Sequence, residues 1–269
     1  MHRTPRRRFR SPLPLLFLVA ALVLAGGAGA QSELGYEQYR GLSWAANRLD
    51  HVTMFEPLDG EQGMYLAVAE RFGTVQVFKA DGRGVARIWK SNRLSGVPEE
   101  ILAADLAGDG FDDSLVCRTT GGKIYVWRLA DYAQVWESLP GEYQSIACFT
   151  VANVDEDPAR EIVLLADRRI VYVDGVNFTR EFTSIREYEA TMIRCGDVDG
   201  DGRMEIVLNS GQVLDTVSGD VEWEDEQFYG MIELLDIDGD GMPEILTENE
   251  FGGPLKVFDV DYRSEVRFQ

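Results

Sequence analysis

The chain has 269 residues, 45% of them apolar and 10% aromatic, with 46 acidic and 26 basic side chains and a net charge of −20. An apolar share this large supplies a folded core, which excludes an acidic disordered chain. So negative a surface repels phosphate backbones and argues against nucleic-acid binding, and two histidines are too few for a multi-histidine metal centre.

Residues 1–30 read as an export signal. Arg3, Arg6, Arg7, Arg8 and Arg10 form a basic start, Leu13 to Leu24 an apolar stretch, and Ala28-Gly29-Ala30 a small-residue cleavage site before Gln31. The apolar stretch falls short of the ~20 residues that a spanning helix needs, and nothing later is apolar enough to span a bilayer. Cleavage near Ala30 would place the mature protein in the periplasm or outside the cell. Without residues 1–30, which hold five arginines and no acid, 21 basic side chains face 46 acidic ones, a balance of −25. Residues 31–50 are an N-terminal extension that packs on a blade edge or helps close the ring described next.

From residue 51 to 269 the chain repeats itself five times. Asp197-Val-Asp-Gly-Asp-Gly-Arg-Met-Glu-Ile-Val and Asp236-Ile-Asp-Gly-Asp-Gly-Met-Pro-Glu-Ile-Leu are nearly identical. Weaker copies start at Asp105 and Asn153, and an eroded one starts at Pro57. The anchors are spaced by 48, 48, 44 and 39 residues. Each acidic loop is followed by a short apolar strand, a turn and a second strand. A third strand follows, ending in an aromatic: Trp89, Trp136, Phe182, Trp223 and Phe268. The run before each acidic loop supplies a fourth strand. Four strands per period of ~45 residues predict an all-β fold, a β-propeller with five four-stranded blades. An open arc that closes by dimerising is the alternative.

The three cysteines, Cys117, Cys148 and Cys195, each sit in an apolar strand-like run. They read as buried core residues; an export compartment would also permit a disulfide, with at least one thiol left over.

The acidic loops read as calcium sites. Carboxylates at positions 1, 3 and 5 of a tight loop turn toward one centre, and glycine at position 6 permits the bend. Position 12, where an EF-hand has its glutamate, holds Leu208 or Thr247, which excludes that motif. An acid stands at position 9 instead. Three carboxylates ~4 Å apart repel by about 4 kcal/mol per pair at an effective dielectric of 20, so a fold gathers them around a cation.

This D-x-D-x-D-G-x-x-[DE] loop between two strands resembles the FG-GAP/VCBS repeat family, bacterial relatives of the integrin α-chain propeller. The resemblance spans residues 51–269. It implies calcium ligands at Asp197, Asp199, Asp201 and Glu205 with the Arg203 carbonyl. It implies the same at Asp236, Asp238, Asp240 and Glu244 with the Met242 carbonyl. Of the weaker copies, one keeps Asp105, Asp109 and Asp113 but has Ala107 at position 3. The other keeps Asn153, Asp155, Asp157 and Glu161 but has Pro158 in place of the glycine. The first copy, with Pro57 and Tyr65 at positions 1 and 9, is expected to hold no metal. Two to four calcium ions follow. Five repeats depart from the seven blades of many family members.

The expected role is a non-enzymatic binding, adhesion or scaffold module for a protein or glycan. The alternative is a carboxylate-dependent glycan-active enzyme with its site over the central channel, since such enzymes need only two acids. No catalytic constellation is recognisable. The connectors that enter the innermost strands reach the rim opposite the acidic loops, and three begin with a tyrosine: Tyr143, Tyr188 and Tyr229, the last beside Phe228. With Glu142, Glu187, Glu189 and Glu226 near them, these rings suit a partner surface; the other reading makes them packing residues that cap the blades.

Overall fold

The computed structural model describes residues 51–56, 64–81, 84–155, 157–225, 230–248, 255–260 and 263–265. The signal, the extension, Phe228, Tyr229 and Phe268 lie outside the described residues.

Among the described residues, alternation of apolar and polar residues, broken by glycine-rich turns, gives twenty strands in five sheets. Blade 1 comprises β1 (Val52–Phe55), β2 (Met64–Glu70), β3 (Thr74–Asp81) and β4 (Gly84–Lys90). Blade 2 comprises β5 (Pro98–Ala104), β6 (Ser114–Thr119), β7 (Lys123–Arg128) and β8 (Gln134–Glu137). In blade 3 they are β9 (Ile146–Ala152), β10 (Glu161–Ala166), β11 (Arg169–Asp174) and β12 (Arg180–Thr183). Blade 4 has β13 (Ile193–Gly196), β14 (Glu205–Leu208), β15 (Gln212–Asp215) and β16 (Val221–Glu224). Blade 5 has β17 (Met231–Leu235), β18 (Glu244–Glu248), β19 (Lys256–Asp259) and β20 (Ser264–Glu265). Each sheet is antiparallel with its strands in sequence order, so every blade is one uninterrupted stretch of chain. This is the predicted β-propeller of five four-stranded blades. The strand before each acidic loop is the innermost: β1 abuts β5, β5 abuts β9, β9 abuts β13, and β13 abuts β17.

The middle strands are sandwiched between blades and are apolar on both faces. β10, Glu161-Ile-Val-Leu-Leu-Ala, is buried at every position. Four apolar clusters join consecutive blades. That between blades 2 and 3, for example, includes Leu106, Val116, Val126, Phe149, Ile162 and Leu164. Among the described residues, blades 1 and 5 share none of these clusters. Each burial of a Val, Leu, Ile or Phe side chain stabilises by about 1.5–3 kcal/mol, so the blade-to-blade contacts, more than any single sheet, hold the molecule together.

The outermost pairing of blades 1 to 4 carries the same irregularity. Tyr172 pairs with Phe182 and Val173 with Arg180, leaving Glu181 as an extra residue in a β-bulge. Ile88, Val135 and Glu222 hold the corresponding place in blades 1, 2 and 4. A bulge re-aims the side chain it carries.

The cysteines are free thiols. Cys117 and Cys148 are buried and Cys195 is half-buried. Desolvation pushes all three thiols up, Cys195 to about 12.

Candidate metal centre

Four acidic loops connect an innermost strand to its neighbour, and one latch shapes them all. The carboxylate closing each loop reaches back to the backbone N–H of its second residue. Glu161 Oε2 accepts from Val154 at 2.7 Å, Glu205 Oε2 from Val198 at 2.8 Å, and Glu244 Oε2 from Ile237 at 2.7 Å. Asp113 does the same for Leu106 and Ala107, at 3.3 and 3.0 Å. Within the loops, the aspartates at positions 3 and 5 accept from the N–H two residues on, as Asp199 does from Asp201 and Asp201 from Arg203, at 3.1 and 2.8 Å. These local bonds fold the loop and leave other carboxylate oxygens turned inward. Neighbouring loops also touch. Gly108, at φ +74°, faces the Pro158 carbonyl 1.8 Å from where a Cβ would stand, so no side chain fits there; Gly200, at φ +77°, faces the Met242 sulfur in a backbone conformation that favours glycine.

Three of the four loops gather carboxylates. Asp197, Asp199 and Glu205 place oxygens within 4.8 Å of one another, as do Asp236, Asp238 and Asp240, and Asp155, Asp157 and Glu161. Glu205 is 1% exposed, and Asp197 Oδ1 is buried without a hydrogen-bond partner. Burial first, then the charges of Asp199, Glu222 and Asp197, push the Glu205 carboxyl up to about 8. Burial and Asp155 push Glu161 to about 7, and burial with Asp238 and Asp240 raises Glu244. Carboxylates so disfavoured as bare anions form a natural seat for a cation, which would reverse the shift. The donors fit calcium: hard oxygens in an irregular, adaptable loop. Of the four carboxylates expected in each loop three converge: Asp201 does not join the group at 197, nor Glu244 the group at 236.

The weaker copies diverge. Asn153 donates its side-chain amide to the Asp157 carbonyl at 2.7 Å, so it braces its own turn, while its three acids still converge. The loop at 105 is one residue longer before its strand: Ala104 pairs with Ser114, where Ala152 pairs with Glu161. Asp105 accepts from Gly108, Asp109 and Gly110 and lies 3.5 Å from the Arg160 guanidinium. Asp113 uses both oxygens on the backbone and Asp109 accepts from Phe111. Among the described residues, no three carboxylates converge there.

The proposed tyrosine surface is corrected by burial. Tyr143 and Tyr188 are 5% and 4% exposed and belong to the cores between blades 2 and 3 and between blades 3 and 4. They are the packing residues of the second reading, and nearby acids are paired: Glu142 with Arg180, Glu187 with Arg169 and Glu189 with Arg168. Beside Tyr188 on that rim lies a pocket of about 430 Å³, bounded by Ser145, Arg168, Thr191 and Asn209. Sequence reasoning also missed a convergence of Glu161, Asp174 and Glu181, again within 4.8 Å. Glu181 stands one residue before Phe182, in a strand read only for its aromatic.

Blades stacked around an axis with an acidic loop at one rim define the class: a repeat β-propeller. No protein-family model matches the sequence, and no curated protein matches it. Among solved structures, the chain is similar to Sqt1 of Saccharomyces cerevisiae, with 14% identity, a TM-score of 0.55 and coverage of 74% of this chain and 56% of that one. It is similar to the computationally designed protein Ika8, with 14% identity, a TM-score of 0.53 and coverage of 77% and 58%. The chain thus spans little more than half the length of these two structures. At such identity the likeness shows the propeller fold alone.

Proposed function

We propose that the chain is an exported, calcium-stabilised β-propeller of the FG-GAP/VCBS type, serving as a non-enzymatic binding or scaffold module. The observation that carries the metal reading is the loop at 197: buried Glu205, an unpartnered Asp197 oxygen and Asp199 converge in the motif that recurs at 236. The cations are structural in this reading, because they pin the turn between the innermost strand and its neighbour. Extracellular modules bind calcium at ~10⁻⁴–10⁻³ M, so millimolar calcium outside the cell keeps such loops mostly filled.

The partner, a protein or glycan, meets the rim opposite these loops. With Tyr143 and Tyr188 buried, the pocket bounded by Ser145, Arg168, Thr191 and Asn209 supports that placement, because it joins a concave shape to several polar groups. Scanning calorimetry in calcium and in chelator tests the metal reading. An identical melting temperature in both would sink it. Pull-downs from the native envelope fraction, with Arg168→Ala and Asn209→Ala beside the wild type, test the rim.

A further inference from the structure

In blades 1 to 4, a residue at the start of the second strand, its partner on the third strand and the bulged residue of the fourth form a trio at equivalent places in the register. In blade 1 these are Tyr65, Lys79 and Ile88, and in blade 2 they are Ser114, Arg128 and Val135. In blade 3 they are Glu161, Asp174 and Glu181, and in blade 4 Glu205, Asp215 and Glu222. All three positions change to acids together, across three strands. Packing alone gives no reason for this, since Ile88 and Val135 serve equally well at the bulge.

In blade 3 the trio converges, with an oxygen of each residue within 4.8 Å of the others. Glu161 and Asp174 are buried, at 0% and 2% exposure, and Glu181 closes the group from the solvent side. The Glu161 carboxylate divides its work. Oε2 latches the loop through Val154, whereas Oε1 is buried with no partner. A buried oxygen left so is costly, and native structures supply a partner for almost every such group.

We propose that blade 3 holds a divalent cation on Glu161, Asp174 and Glu181, a site borne by three adjacent strands rather than by the acidic loop. Carboxylates alone, one of them exposed on a bulge that adapts, suit calcium better than magnesium, which demands stricter geometry and more water. The site explains how a copy whose loop has lost its first aspartate and its glycine keeps its closing glutamate buried. It also ties the short outer strand β12 to the middle of the blade. It shares calcium with the reading above but needs none of the intact loops.

The test is calorimetric titration of calcium chloride into the full chain. Glu181→Gln, at an exposed position, weakens one binding event by roughly tenfold, because ligand charge sets affinity in such sites. Asp174→Asn with Glu181→Gln removes that event, and Asp155→Asn with Asp157→Asn leaves it. Thermal melts in chelator show that each variant is folded. Isotherms of Glu181→Gln and the double variant that superimpose on the wild type overturn the strand-borne site. So does loss of the event in the Asp155/Asp157 variant, which would assign the ion to the loop. If the Asp199 and Asp238 loops bind calcium while Glu181→Gln changes nothing, only this inference fails. If the wild type binds none, the broader calcium reading fails with it.

Discussion

Trp136 on β8 stacks in parallel on Phe178 of the next blade, with ring centroids 5.2 Å apart and planes inclined by 7°. Trp89 does the same on Tyr132 across the first junction, and at the third Phe182 lies 3.2 Å from where a Cβ on Gly219 would stand. The aromatic of the outer strand in blades 1, 2 and 3 thus rests on the turn before the next blade's outer strand. That turn takes the same backbone shape each time: Tyr132, Phe178, Gly219 and Arg263 all have positive φ, at 56°, 59°, 71° and 49°.

A non-glycine residue pays about 1–2 kcal/mol to sit there, which sets up an inverted substitution order. Phe178→Ala and Phe178→Gly both lose the stack, worth about 0.5–1.5 kcal/mol beyond buried area. Alanine alone keeps the backbone strain. The glycine variant is therefore expected to melt higher than the alanine variant in thermal unfolding. The opposite order would show that the turn relaxes to negative φ.

Calcium is expected to raise the melting temperature of the chain without residues 1–30. With a dissociation constant near 100 µM, 1 mM calcium adds about 1.4 kcal/mol per site, or about 3 kcal/mol for the loops at 197 and 236. At 2–4 °C per kcal/mol the rise is about 6–12 °C. Asp199→Ala combined with Asp238→Ala removes most of it, measured in calcium against chelator.

Arg118 is a second point of dependence. Its side chain, 13% exposed, bonds Glu100 at 2.8 Å and Glu99 at 2.6 Å, and donates to the Ile146 carbonyl of blade 3 at 3.1 Å. Arg118→Met leaves two partly buried carboxylates unpaired and should cost about 3 kcal/mol, the low end for breaking a buried pair, because Glu99 keeps a third of its surface in water. Adding Glu100→Gln should restore part of the loss in denaturant titrations. A double variant as unstable as the sum of the single ones would mean no coupling.

The thiols give a test of order. Desolvation holds all three protonated, so the thiolate that reacts is scarce in the folded protein. A folded pKa above the unfolded value means that these groups favour the native state below pH ~9 and lose that contribution as pH rises through their folded values. Iodoacetamide at pH 8 is expected to leave the native chain unlabelled and to modify three cysteines after unfolding. Native labelling at Cys117 would contradict its burial between blades 1 and 2.

The blades and the acidic loops were legible because each repeats one pattern at a fixed spacing. Ser114 and Asp113 show what was not. The sequence puts an acid at position 9 of that copy, but one added residue before β6 moves it off the strand and onto its own backbone. Tyr143 and Tyr188 were misread for a related reason. A tyrosine that recurs at the same step of successive repeats meets a need those repeats share, and for Tyr143 and Tyr188 that is filling the gap between blades. Glu181 escaped notice because a bulge shifts the side-chain alternation by one, and no local signal in Arg180-Glu-Phe-Thr183 marks it.

Because every blade is one uninterrupted stretch, and four apolar clusters each join a blade to its successor, assembly has a direction available. A blade leaving the ribosome finds one packing surface already present on the blade before it, while its second apolar face is covered only by the blade that follows. In such N-terminal-first assembly the apolar surface left open at each step is one face of the newest blade. The junction between blades 2 and 3, with its Trp136–Phe178 stack and the Arg118 bridge to Ile146, then acts as a checkpoint midway through emergence, on which blades 4 and 5 are laid in turn.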